Sequence, residues 1–283
     1  LFRSQDMIEN NIISDHFTVE ELKKLKITPP DAKMYKKIRS NWDSVAKPLD
    51  GMGDFELLTA KIGAVLGDEN IDISKKAVIM MCADNGVVAE GISQSGQEIT
   101  AAVTENLGKR NTSVCKMAKA VGAEIFPVDI GVNTDRIFPG VISRKVKKGT
   151  NDFLLKPAMS EREAMQAVRV GMELVKECKE AGYTLLGTGE MGIGNTTTSS
   201  AVASVLLGCD PLLVTGRGAG LSDSGLSRKL EAIKKAIKLH HPDPEDPLSV
   251  LSMLGGFDIA GMVGLYLGGA LYQVPVLIDE IGR

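Results

Sequence analysis

The chain has 283 residues, 43% hydrophobic and 24% charged, with 33 basic against 36 acidic side chains and a net charge of −3. Those values allow a sizeable core and leave no electrostatic footprint for nucleic acid. Only 4% of residues are aromatic while 30 are glycine, which suits an α/β protein with many strand-to-helix turns and fits an all-β sandwich poorly.

Residues 1–50 differ from the rest. Charged stretches at 20–26 and 33–39, separated by Pro29-Pro30, predict short helices and a small helical domain. Residues 51–283 then read as one large Rossmann-like α/β domain. Residues 52–66 place Phe55, Leu58, Ile62 and Leu66 at helical spacing. The apolar run 77–82 suits a buried parallel strand and ends in the turn Asp84-Asn85-Gly86. Helices are predicted over 98–107 and 113–121. A second strand covers 123–128 and ends in Asp129-Ile130-Gly131.

Residues 133–158 read as a long functional loop, with the basic run Arg144 to Lys148 as a solvated part of it. Ser160, followed three residues later by Glu163, starts a helix to about Ala181 as a capping box. A third strand over 183–187 enters the glycine-rich stretch 187–198, followed by a small-residue helix over 199–207. A fourth strand is expected at Leu212-Leu213-Val214, ending in the second glycine loop, 215–220. The helix 224–239 carries Leu226, Leu230, Ile233 and Ile237 on one face. Pro242 to Pro247 breaks the chain. A glycine-rich apolar helix covers 257–271, and a last strand 274–278. The most apolar segment, 259–271, is too short to span a bilayer. The alternation predicts a doubly wound, mostly parallel sheet covered on both faces. Cys82, Cys115, Cys178 and Cys209 match no zinc spacing and lie in apolar stretches. Buried free thiols and a cytoplasmic location are expected.

Ligands in such sheets bind outside the carboxyl ends of the strands. The stretch 187–198 is the sharpest candidate. Gly189, Gly192 and Gly194 free the backbone to turn amides toward an anion, and the following helix offers its N-terminus. Asn195, Thr196 and Thr197 add side-chain donors to the amide of Ile193 and its neighbours. A structural reading, a glycine-rich tight turn, competes with this phosphate cradle. Glu190 argues against it, because packing does not call for a carboxylate amid glycines. Gly187-x-Gly189-x-x-Gly192 also matches the dinucleotide fingerprint, but Asp210, the acid near the expected spacing, precedes the next strand instead of ending it. No P-loop pattern is present. Lys229 follows the second glycine loop, where a cation can reach a phosphate or ribose oxygen; a solvated helix lysine is the alternative. His16, His240 and His241 all lie away from the strand ends.

These segments resemble the nicotinate-nucleotide:dimethylbenzimidazole phosphoribosyltransferases. The loop Gly187-Thr188-Gly189-Glu190-Met191-Gly192-Ile193-Gly194-Asn195-Thr196-Thr197 looks like their signature. Ala83-Asp84-Asn85-Gly86-Val87, Gly91-Ile92-Ser93, Gln97-Glu98-Ile99-Thr100, Val128-Asp129-Ile130-Gly131-Val132, Gly149-Thr150-Asn151, Pro157-Ala158-Met159 and Gly216-Arg217-Gly218-Ala219-Gly220-Leu221 agree in order. The resemblance implies phosphoribosyl transfer from nicotinate mononucleotide to 5,6-dimethylbenzimidazole or a related base, giving α-ribazole 5′-phosphate and nicotinate. It implies a homodimer with neither metal nor cofactor, and a small helical domain built from both chain ends. Glu190 and Lys229 take the catalytic places. Gly189, Gly192, Ile193, Gly194, Asn195, Thr196 and Thr197, with Gly216, Arg217 and Gly218, hold phosphate and ribose. Asp84, Asn85, Gln94, Ser95 and Gln97 form the base pocket.

Two departures follow. The family's general base lies in a C-terminal Arg-Leu-Gly-Glu-Gly-Thr-Gly motif, which is absent; the sequence ends at Glu280-Ile281-Gly282-Arg283, and Glu280 lacks that glycine-flanked setting. The expectation is a C-terminally truncated chain, with a nucleotide-binding homologue of little turnover, or a subunit needing a partner, as alternatives. Many members also carry Ser-Tyr-Pro where Gln94-Ser95-Gly96 stands, and a glutamine where Ala102 stands. Other benzimidazoles, purines or phenols therefore enter as acceptor bases.

Overall fold

The structure is a computed structural model describing residues 17–278; His16 and Glu280 lie outside the described residues. Its centre is a parallel five-stranded sheet. The strands are β1 (Lys76–Ala83), β2 (Ala123–Gly131), β3 (Ile142–Ser143), β4 (Leu185–Met191) and β5 (Val276–Leu277), in the order β3-β2-β1-β4-β5. The unbroken apolar run of β1 follows from its central place. Successive side chains alternate faces, and both faces are covered. Ile79, Met81 and Ala83 enter one core cluster, while Met80 and Cys82 enter another.

The first cluster lies under α6 (Glu161–Glu180) and α10 (Phe257–Tyr272), the second under α4 (Glu98–Gly108) and α5 (Ser113–Ala120). The capping box of α6 forms as expected, with Ser160 Oγ accepting the Glu163 amide at 3.2 Å and Glu163 accepting the Ser160 amide at 2.9 Å. The glycines of α10 serve close approach. A Cβ on Gly264 would strike the Val168 carbonyl of α6, and one on Gly171 would meet the backbone of Gly261 and Leu265. No described helix is long and apolar enough to cross a membrane.

Ahead of the sheet stand α1 (Val19–Lys24), α2 (Ala32–Asp43) and α3 (Asp54–Leu66). The face of α3 differs from the expected one. Phe55 and Leu58 are half-exposed, whereas Glu56, Ala60, Gly63 and Ala64 are buried. Small residues let α2 come close, with Ile38 seated on Gly63. Glu56 is enclosed because Arg39 and Lys47 neutralise it at 3.0 and 2.7 Å. Trp42 of α2 meets Phe55 edge-on at 5.8 Å between ring centres and donates its indole N–H to Thr59 at 2.9 Å.

Three expectations on the glycine-loop side are corrected. The third strand runs over Leu185–Met191, so Gly187, Gly189 and Glu190 belong to β4 rather than to a loop. The helix after it, α7, spans Asn195–Leu206 and so starts four residues earlier than expected. Leu212-Leu213-Val214 is no strand. Pro211–Leu213 form a 3-10 turn because Asp210 caps the Leu212 amide at 2.8 Å and Pro211 suits a first turn; Leu212 and Leu213 stay exposed. α8 (Asp223–His240) follows, then the unpredicted α9 (Pro247–Leu254), capped by Asp246. Three cysteines are buried and Cys209 is half-buried. The basic run 144–148 is no free solvated loop: Arg144, Lys145 and Lys147 pair with Glu177, Asp129 and Glu163, and Lys148 with Asp135.

Candidate active site

The carboxyl ends of β1 and β2 are tied together before any side chain enters. The Asp84 amide donates to the Gly131 carbonyl at 3.0 Å, and the Asp84 carbonyl accepts the Thr150 amide at 3.0 Å. Thr150 Oγ1 accepts the Gly86 amide at 3.0 Å. Beyond β4 the chain turns at Gly194, whose φ of 93° is a left-handed conformation that glycine adopts freely. A Cβ there would also lie 2.8 Å from a Val88 methyl. Gly194 is the N-cap of α7 but brings no capping side chain. The amides of Gly194 and Thr196 have no acceptor among the described residues. This is the electropositive end of a helix with unspent donors, a ready anion site.

Facing it is the second glycine loop. Gly192, Gly194, Asn195 and Thr196 line one cleft with Gln94, Arg217, Gly218 and Ala219. Arg217 stiffens this loop by donating to the Leu221 carbonyl at 2.9 Å and pairing with Asp223. Gly218 passes so close to Thr196 that a Cβ would lie 3.0 Å from its hydroxyl.

Below the cleft lies Lys229. The solvated-helix reading fails here, because the side chain is only 1% exposed. Its ammonium donates to Thr196 Oγ1 at 2.7 Å and to the Gly216 carbonyl at 3.2 Å, both neutral acceptors. No carboxylate pairs with it among the described residues, and burial lowers its pKa to about 8. A buried cation without a counter-charge, under amides without acceptors, is a site built for an anion.

Glu190 stands near the end of β4, opposite Met81 of β1, and its carboxylate accepts from the Asn195 side chain. The structure thus brings together Glu190, Asn195, Thr196, Lys229 and both glycine loops. Other expected site residues are placed differently. Gly189 lies within the sheet against Met80, where a Cβ would displace the methionine side chain. Thr197 is fully buried and does not line the cleft.

The five residues expected in a base pocket do not form one wall. Asp84 and Asn85 are buried beneath the cleft. Asp84 accepts the Asn133 amide at 2.7 Å, and burial raises its carboxyl above the usual range. The Asn85 side chain donates to Asp258 at 3.4 Å. Gln97 bridges the Asn85 carbonyl at 3.2 Å and the Asn133 side chain at 3.1 Å. Ser95 turns its amide onto Ser93 Oγ at 3.2 Å, while Gln94 reaches the Gly220 carbonyl and lines the cleft of the two glycine loops.

Two residues escaped the sequence reading. Asp258, wholly buried at the start of α10, has its pKa raised to about 6 by burial. It lies beside Gly192, where a Cβ would meet its oxygen at 2.6 Å. A lone acid at the head of an apolar helix was the available signal. Thr100, also wholly buried, accepts the Ile193 amide at 3.1 Å; it closes the family-like segment Gln97–Thr100, but that pattern gives it no role in the site. Among the described residues no three His, Cys, Asp or Glu side chains gather to hold a metal.

A doubly wound parallel sheet whose strand ends carry two glycine loops, open amides and a buried lysine has the form of an α/β protein that binds an anionic small molecule. Comparison with known proteins narrows that class. A family model described as phosphoribosyltransferase matches residues 27–281. The nicotinate-nucleotide–dimethylbenzimidazole phosphoribosyltransferase of Acetivibrio thermocellus is 48% identical over 242 residues, covering 86% of this chain and 69% of that protein. Its namesake from Clostridium acetobutylicum is 44% identical over 249 residues, covering 88% and 71%. The crystal structure of CobT from Thermus thermophilus superposes with a TM-score of 0.82 at 34% identity, covering 87% of this chain and 74% of that one. The chain belongs to the nicotinate-nucleotide–dimethylbenzimidazole phosphoribosyltransferase family.

Proposed function

We propose that the protein transfers the phosphoribosyl group of nicotinate mononucleotide to 5,6-dimethylbenzimidazole or a related base, releasing nicotinate. The observation that carries this reading is Lys229, a buried ammonium held by neutral partners directly under the free amides of Gly194 and Thr196. The 5′-phosphate of the nucleotide supplies the missing counter-charge. Arg217 and the Gly216 to Gly218 loop close over phosphate and ribose.

With the phosphate fixed, the reacting carbon is positioned near Glu190. The C1′–N bond breaks with its electron pair going to the pyridinium nitrogen, so nicotinate departs without an acid. Positive charge builds on the ribose ring, as in glycoside cleavage, and the Glu190 carboxylate stabilises it. A benzimidazole nitrogen then bonds to C1′, and its N–H proton passes to a base. No described residue is assigned that last role.

We also propose residues 1–50 as part of a small helical domain beside the α/β domain of 51–283, a cytoplasmic location and a homodimer. Three buried free thiols support a reducing compartment. The test is a product assay with nicotinate mononucleotide and 5,6-dimethylbenzimidazole, paired with calorimetry. Release of nicotinate with formation of the new nucleotide supports transfer. Binding without release, or no binding, overturns it.

A further inference from the structure

Thr100 has no part in the mechanism above. It lies in the first turn of α4, wholly buried, and its Oγ1 accepts the amide of Ile193, 93 residues away in sequence, at 3.1 Å. Ile193 sits in the middle of the anion loop, between Gly192 and Gly194. Its N–H is the one in this loop held by a side chain from another element; the Asn195 amide bonds the Gly192 carbonyl at 3.1 Å, and those of Gly194 and Thr196 stay open. Fixing the peptide before Ile193 fixes the direction in which the chain enters the left-handed Gly194.

Thr100 is itself held from several sides. Its carbonyl accepts the Thr104 hydroxyl at 2.7 Å. One turn earlier, Gln97 clamps the start of α4 to the Asn85 carbonyl and to Asn133, whose amide is bonded to Asp84. The hydroxyl that meets Ile193 therefore stands on the carboxyl ends of β1 and β2, not on a free helix end. A buried donor that loses its acceptor turns to find another. In this loop that turn would rotate the neighbouring amides away from the cleft.

We propose that Thr100 is a positioning residue for phosphate recognition: its hydroxyl holds the Ile193 peptide so that the Gly194 and Thr196 amides face the nucleotide phosphate. The inference rests on the reading of this loop as the phosphate site. Thr100→Val keeps the shape and removes the oxygen, while Thr100→Ser keeps the oxygen. Affinities of the full chain for nicotinate mononucleotide and for nicotinate riboside, which lacks the phosphate, are measured by calorimetry, with melting temperature alongside.

In Thr100→Val the advantage of nucleotide over riboside is expected to fall about tenfold while riboside affinity holds; Thr100→Ser should stay within about twofold of wild type. If valine does not fold, Thr100→Ala removes the same oxygen and takes its place. An unchanged nucleotide advantage in the variant lacking the oxygen overturns the inference. So does an equal loss in the serine variant, or a loss shared by nucleotide and riboside, which marks general collapse of the site. A wild-type chain that binds the nucleotide no better than the riboside overturns the phosphate reading itself, and the inference with it.

Discussion

Replacing Lys229 by methionine should weaken nucleotide binding and strengthen the fold. An amine held at about 8 instead of the ordinary 10.5 costs the protein about 3 kcal/mol while it stays protonated, below pH 8. Methionine removes that cost and fills much of the same space. It also forfeits the bonds to Thr196 and Gly216, about 1 kcal/mol each. The remainder is about 1 kcal/mol of added stability at pH 7, or about 3 °C in melting temperature. The pH dependence has a definite sign. Between pH 8 and 10.5 the unfolded wild type binds more protons than the folded one, so wild-type stability rises with pH and the gap to the variant closes. Binding behaves oppositely. Losing a charged hydrogen bond to phosphate costs about 1.5 to 3 kcal/mol, so the variant should bind nicotinate mononucleotide about 10- to 100-fold more weakly. Wild-type affinity should be level between about pH 7 and 8, where the phosphate is fully ionised, and fall above pH 8 as the lysine loses its proton. Thermal melts from pH 7 to 10 and calorimetric titrations read both quantities. A variant that melts below wild type at pH 7 and binds the nucleotide equally well would refute the reasoning.

Glu190→Ala should slow nicotinate release about 100-fold or more while the melting temperature changes little, since the side chain is half-buried at a strand end; unchanged turnover removes Glu190 from the mechanism. Gly194→Val should abolish detectable nucleotide binding, because it imposes a β-branched residue at φ 93° and drives a Cβ against Val88; calorimetry with unaltered affinity would dismiss the loop as the phosphate site.

Much of the α/β frame was legible in residue pattern. The unbroken apolar run of β1 and the Ser160–Glu163 capping box each obey a local rule, and both form where expected. The failures arise where local rules compete with tertiary contact. Leu212-Leu213-Val214 has the composition of a strand, but Pro211 and the Asp210 cap set a 3-10 turn first. The large apolar side chains of α3 advertise one face, while Ala60, Gly63 and Ala64 form the face that packs. At the site, glycines and the following helix end marked the anion loop. The burial of Lys229 was not legible, because a lysine near a helix start usually points into water. Thr100 and Ile193 meet across 93 residues, and no pattern confined to one segment encodes that encounter.

The single tryptophan of the chain sits on α2, edge-on to Phe55 of α3 and bonded to Thr59. Its emission is therefore a private optical reporter of one helix pair, with no indole in the sheet to blur it. Far-ultraviolet ellipticity is weighted instead toward the long helices α6, α8 and α10, which cover 20, 18 and 16 residues. Two ordinary spectroscopic signals thus report separately on the α2–α3 pair and on the long helices over the sheet, without any label. Superimposed melting curves would describe one cooperative unit, and an earlier change in fluorescence would describe a helical appendage that comes loose while the nucleotide cleft still stands.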